Sequence, residues 1–196
     1  VQSQRYARAL AAVQRLEEAA PLVASVAETE RTGDGWLVIG RIALESGDYD
    51  GAVEAFSKGW QRSKDPALAV NLCSARIVAG MSAAAVCAEA LVAAPDDPAA
   101  QLGLAVASLG EKNPLVATRA LLQLLAGGQA TEAQLVEAAR LAHSAQNPAL
   151  SCRLWLASKT NSRAGSSACF AAGRKEEGRV ILEALAEENF ACCAGE

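Results

Sequence analysis

Few residues in this chain of 196 could do chemistry, and they are quickly enumerated. His143 is the only histidine, so any base–nucleophile pair or catalytic triad would have to be built on it. It follows Arg140 by about one helical turn, a spacing that suits a solvated or ligand-facing side chain. The six cysteines are Cys73, Cys87, Cys152, Cys169, Cys192 and Cys193. A zinc site could combine His143 with Cys152 and Cys169, but structural zinc ligands come in close pairs and no C-x-x-C is present. No metal and no cofactor are expected. The stretch Gly33–Gly40, GDGWLVIG, has the look of a phosphate loop. It lacks the glycine spacing, has no Lys at the start of the helix and follows no strand pattern, so it reads as a turn entering a helix.

The cysteines allow two pairings. Cys73 and Cys87 lie about equally far on either side of Gly80, and Cys152 and Cys169 flank the stretch Thr160–Ser167. Each pair could approach bonding distance. A helical chain of this size needs no bridge framework for stability, however. Buried thiols also pack as small apolar groups. The expectation is therefore reduced thiols, with Cys73 buried and free, in the cytoplasm or another reducing intracellular compartment. Cys192 and Cys193 have no assigned role.

The elements that must position these residues follow from composition and periodicity. Hydrophobic residues make up 52%, much of it Ala, and aromatics only 4%. Ala favours helices and close helix–helix approach, and no alternating strand pattern appears, so the expected class is all-α. The net charge of −4 is spread without long blocks, which argues against nucleic acid as a partner. No apolar run reaches the ~18 residues of a membrane helix, so no membrane insertion is expected. The N-terminal stretch is charged and amphipathic, unlike a signal peptide. The chain does not begin with Met, and helical patterning runs into both ends, as in a piece of a longer protein.

A repeat organises the middle of the chain. Trp36-x-x-Ile39-Gly40, then Gly47-Asp48-Tyr49, then Ala52-x-x-x-Phe56 is a helix–turn–helix signature. Its small first-helix residue recurs as Gly40, Cys73, Ala105 and Ala139, in steps of 33, 32 and 34. The residue before it is Ile39, Leu72, Leu104 and Ala138. The small second-helix residue recurs in the same steps as Ala52, Ala85, Ala117 and Ser151. The bulky residue four later is Phe56, Leu121 and Trp155, with Glu89 breaking the column. Turn signals agree: Gly47, Gly80, and Asn-Pro at Asn113 and Asn147, with Asn at an N-cap and Pro at the first helical position. Ser63–Pro66 and Pro95–Pro98 separate consecutive repeats in the same way. The frame resembles the tetratricopeptide repeat (TPR) family, good over about 35–159 and degenerate outside it.

Helices are expected at about 35–46 and 50–62, 67–79 and 82–94, 98–110 and 114–126, and 131–145 and 148–159. Before them come 2–18 and 21–31, bounded by Pro21. After them come a short helix near 167–172 and another near 175–188, with Gly178 and Leu182 in the small and bulky slots. The division is thus 1–34 as an N-terminal helical hairpin or cap, 35–159 as four TPR-like repeats, and 160–196 as a degenerate repeat and C-terminal helix.

The resemblance implies a right-handed α-solenoid of antiparallel hairpins, because no hairpin buries its apolar faces alone. It also implies a concave ligand groove lined by the first helix of each repeat. The first repeat offers Leu37, Arg41 and Leu44; the second Val70, Asn71, Ser74 and Ile77. The third offers Leu102, Val106 and Leu109; the fourth Val136, Arg140 and His143. Such an apolar strip suits an amphipathic helix or an extended peptide. The carboxylate clamp of TPR domains that bind Hsp70 or Hsp90 is not matched. Asn71 fits, but Leu37 and Arg41 hold the first-repeat positions, and Ala99 and Gly103 stand where cations belong. The expected function is a non-catalytic protein-interaction scaffold within a larger protein or complex, not an enzyme. Its alternatives are a helical-repeat RNA-associated module, which needs a basic stripe, and a thiol or metal enzyme.

Overall fold

The structure is a computed structural model. It describes residues 1–193, and of 188–193 the backbone alone, so the side chains of Cys192 and Cys193 lie outside the described residues. The helices are α1 (Gln2–Ala12), α2 (Leu16–Ala24), α3 (Gly33–Glu45), α4 (Tyr49–Ser63), α5 (Pro66–Val78), α6 (Ala84–Ala93), α7 (Pro98–Gly110), α8 (Pro114–Gly127), α9 (Glu132–Ser144), α10 (Pro148–Ser158), α11 (Arg163–Ala171) and α12 (Lys175–Cys193). A single 3-10 turn, Glu28–Glu30, precedes α3, and no strand occurs among the described residues. The chain forms two compact units, Val1–Ala107 and the part from Ser108 onward, with the boundary inside α7.

Local chemistry sets the turns where they were expected. Gly47 and Gly80 adopt φ of +78° and +69°, the left-handed conformation open to glycine. At the Asn-Pro turns the preceding Lys112 and Gln146 take that conformation instead, at +58° and +56°. Asn113 and Asn147 then cap α8 and α10, accepting hydrogen bonds from the N–H of Val116 and Leu150. Asp48 and Asp65 cap α4 and α5, and Thr131 forms a capping box with Gln134 on α9.

In the first unit, α3 and α4 pack through the expected small positions. Gly40 lies under the ring of Phe56, where a Cβ would collide with it, and Ala52 and Phe56 are wholly buried. Leu37, Leu68, Leu72 and Ala75 complete that core cluster. A second cluster joins α1 and α2 to Val38. Buried Gln4 ties α1 to the start of α3: its Oε1 accepts from the N–H and hydroxyl of Thr32 at 2.8 and 3.0 Å, and its Nε2 donates to the carbonyl of Glu30 at 3.2 Å. Arg8 pairs with both Asp34 and Asp65, and these hydrogen bonds raise its pKa further. In the second unit one contact recurs twelve residues apart in two successive hairpins. The Ser151 hydroxyl donates to the Ala139 carbonyl (2.8 Å), and Ser166 to Gly178 (2.9 Å).

Five expectations need correction. Cys73 is buried as expected but not free: it is bonded to Cys87, and Cys152 is bonded to Cys169. Helix packing brings each pair together because all four sit on buried faces. Second, α6 is shifted in register. Ala83, Cys87 and Ala90 are buried, whereas Ala85 and Glu89 are exposed. Ala83 and Cys87 thus fill the small and bulky slots, and Glu89 does not break the column, because it never enters it. Third, α1 ends at Ala12 around Gln14 (φ +63°), and Pro21 lies inside α2, a helix that ends at Ala24, well short of 31. Fourth, α11 starts at Arg163, because the Ser162 hydroxyl caps it through the Gly165 N–H. On α12 the expected bulky slot also moves by one residue: Ile181 is buried and Leu182 is 43% exposed.

Candidate functional site

The first helices present the side chains that the repeat frame singled out, but not all equally. In the first unit, α3 packs beside both α1 and α5. Leu37 and Val70 are buried, at 6% and 9% exposure, and Leu37 belongs to the core around Phe56. Arg41, Leu44, Asn71 and Ile77 are half-buried, and Ser74 is exposed. Asn71 and Ser74 both donate to carbonyls of their own helix, Ala67 at 2.7 Å and Val70 at 3.1 Å. On α7, Leu102, Val106 and Leu109 are all half-buried.

The second unit gives the clearest geometry. Val136, Arg140 and His143 follow one another along one face of α9, with Val136 half-buried and the other two exposed. They line two adjoining cavities that share Arg140. One, of about 280 Å³, is walled by Arg140, His143 and Ser144 of α9, Ser151 and Trp155 of α10, and Ala164, Ser167 and Ala168 of α11. The other, of about 520 Å³, is lined by Glu132, Ala133, Val136, Glu137, Arg140 and Thr160. The room beside α11 exists because its wall residues are small. Gly165, one residue away, sits so near Trp155 that a Cβ would lie 3.2 Å from the indole. The Cys152–Cys169 bridge staples α10 to α11 next to Ser151 and Ala168 of that wall.

The frame missed a third cavity, of about 560 Å³, on the second-helix side of the first unit. It is bounded by Trp60 of α4, Lys64 just after that helix, Pro66 of α5, and Ala85, Ala88, Glu89, Val92 and Ala93 of α6. The register shift of α6 creates it, by turning Ala85 and Ala88 outward where they fill no space. Val92 is 84% exposed there, and the Lys64 ammonium lies 4.6 Å from the Trp60 ring.

Electrostatic perturbations lie elsewhere. Lys58 donates to Glu28 and holds its carboxyl below the usual carboxylate range. Glu177 is held low by its own backbone N–H and by Arg174. Among the described residues no group of three His, Cys, Asp or Glu is placed to hold a metal ion. No described helix is long and apolar enough to cross a membrane.

Solved structures provide the comparison. PilW, a widely conserved type IV pilus biogenesis factor, superposes with a TM-score of 0.67 at 18% identity, over 96% of this chain and 92% of its own. A thermophilic TPR protein of Thermus thermophilus gives 0.60 at 18%, over 94% and 97%. MamA gives 0.65 at 16%, over 84% and 95%. The fold is TPR-like. No family model matches the sequence, and no curated relative does. At these identities the likeness shows the TPR-like fold alone, so function has to be argued from the faces just described.

Proposed function

We propose that this chain is a non-catalytic protein-interaction scaffold. It binds a peptide or helix of a partner protein along the first helices of its TPR-like repeats, within a larger protein or complex. The observation that carries this reading is on α9: the three residues that the repeat frame assigns to the ligand face, Val136, Arg140 and His143, line two adjoining cavities. The half-buried aliphatics Ile77, Leu102, Val106 and Leu109 supply apolar area on α5 and α7. Leu37 and Val70 support that surface from beneath. A few residues buried at the centre of such an interface carry most of its affinity, while exposed charges mainly steer encounter. The reading keeps a capping hairpin over 1–34, four repeats over 35–159 and a degenerate repeat beyond. It includes neither nucleic acid nor an Hsp70 or Hsp90 tail as partner. The two disulfides remove the free-thiol ground for a reducing compartment.

Affinity capture from lysate of the source tests it, with Val106→Glu and Val136→Glu beside Lys58→Ala as a control on α4. Either glutamate should cost the captured protein ~1–3 kcal/mol of binding, the penalty of burying an unpaired polar group. The control should leave capture intact. Capture that survives both glutamates, or that is abolished by nuclease, would overturn the proposal.

A further inference from the structure

The cavity between α9, α10 and α11 has a composition that names what fits it. Four of its residues carry hydrogen-bonding groups on the α9 and α11 sides: Arg140, His143, Ser144 and Ser167. Ser144 already donates to the Arg140 carbonyl at 3.2 Å, and Ser151 donates to Ala139. The Arg140 side chain is 68% exposed, and its one ion pair among the described residues is a loose 3.8 Å contact with Glu137. Ser167 is exposed as well. Donors from two helices therefore converge on a space in whose wall no carboxylate stands. Apart from Ser151, whose hydroxyl is committed to Ala139, the rest of the wall is apolar: Trp155, Ala164 and Ala168.

We infer that this cavity receives one side-chain carboxylate of a partner segment, with Arg140 as its charged anchor. The carboxylate sits against Arg140, His143 and Ser167, and its aliphatic stem lies on Trp155 and Ala168. A guanidinium with unused N–H groups is the side chain best matched to a carboxylate, which it can grip with two parallel hydrogen bonds. Size agrees. About 280 Å³ is ample room for one carboxylate side chain, at the lower edge of the ~300–1,000 Å³ of small-molecule pockets. A single permanent positive charge matches a monoanion better than a dianionic phosphate. The adjoining cavity continues along α9 past Val136, so the chain bearing the carboxylate has a path to follow, and Glu132 and Glu137 on that path select against further acidic residues there. This inference rests on the scaffold reading and sharpens it, by giving the partner's chemistry at one position.

The test uses fluorescein-labelled decapeptides and fluorescence anisotropy on the full chain at low ionic strength. One alternates Leu and Gln around a single central Glu and is amidated at its C-terminus. A second alternates Leu and Gln and is amidated; a third is the Leu–Gln peptide with a free C-terminal carboxylate; a fourth carries phosphoserine in place of Glu. The Glu-bearing peptide should bind and the free-carboxylate peptide should not, which tells a side-chain carboxylate from a chain terminus. Arg140→Ala should weaken that binding about tenfold or more, as expected for losing a hydrogen-bonded charge. Ser167→Ala should weaken it about threefold, the loss of one modest hydrogen bond. Arg153→Ala, an exposed cation on α10 outside the cavity, should change nothing. Equal binding of either Leu–Gln peptide, tighter binding of the phosphoserine peptide, no binding by any peptide, or indifference to Arg140→Ala would each overturn the inference. If it fails while Val136→Glu still releases the captured partner, the scaffold reading stands and only the carboxylate is lost.

Discussion

Cys73 on α5 is bonded to Cys87 on α6 at the level where, one hairpin earlier, Gly40 meets the ring of Phe56. The same junction between first and second helix is thus closed by an aromatic ring in one repeat and by a covalent bridge in the next. Removing the bridge with Cys73→Ser and Cys87→Ser should lower stability by about 3 kcal/mol, the usual effect of closing a loop of this length. Urea unfolding of the double variant and the parent, both without reductant, measures it. Peptide mapping under non-reducing conditions should return the pairs Cys73–Cys87 and Cys152–Cys169.

Gly40→Ala should destabilise by about 1–3 kcal/mol, because the added methyl collides with buried Phe56 and one of the two helices must shift. Gly47→Ala tests a different cause: nothing crowds that position, and any loss comes from its positive φ alone. Thermal unfolding of both variants separates packing strain from backbone strain.

The repeat frame was legible because its signals are local and chemically distinct: Asn-Pro caps, glycine turns, and a small residue recurring with a bulky partner. It failed at α6 because Ala83, Ala84 and Ala85 are consecutive and equivalent, so no side chain marks which of them is buried. The break after α1 was invisible because Gln14, not Gly or Pro, takes the left-handed conformation there. The oxidation state of the cysteines was not legible either, since a buried thiol and a buried bridge occupy the same slots. Helical spacing put Val136, Arg140 and His143 along one face of α9. It could not separate Leu37 and Val70 from them, because depth depends on the neighbouring helix and not on the helix's own period.

Gln4→Leu should cost about 1–3 kcal/mol, since Gln4 is 1% exposed and satisfies Thr32 and Glu30, whose polar groups would lose those partners. Hydrogen exchange should show the loss as faster opening of α1 and of the start of α3. Unchanged exchange there would mean that the polar ties of Gln4 do not hold the two helices together.

Asn147→Ala should lower stability by about 1 kcal/mol, and Asn147→Gly by only a few tenths, because the side chain caps α10 through the Leu150 N–H at 3.0 Å. Denaturant midpoints of the two variants provide the check. Equal losses would assign the effect to the turn and not to the cap.

The scaffold reading places the partner on the first helices, and site-specific photo-crosslinking tests that placement most directly. A photoreactive amino acid is introduced singly at Leu102 on α7, at Val136 on α9, and at Ala88 and Val92 on α6, and adducts are read by mass spectrometry after irradiation with the captured partner. The account predicts that Leu102 and Val136 trap the same protein and that Ala88 and Val92 trap none. Adducts confined to Ala88 and Val92 would put the partner in the apolar cavity between α4 and α6 and would contradict it.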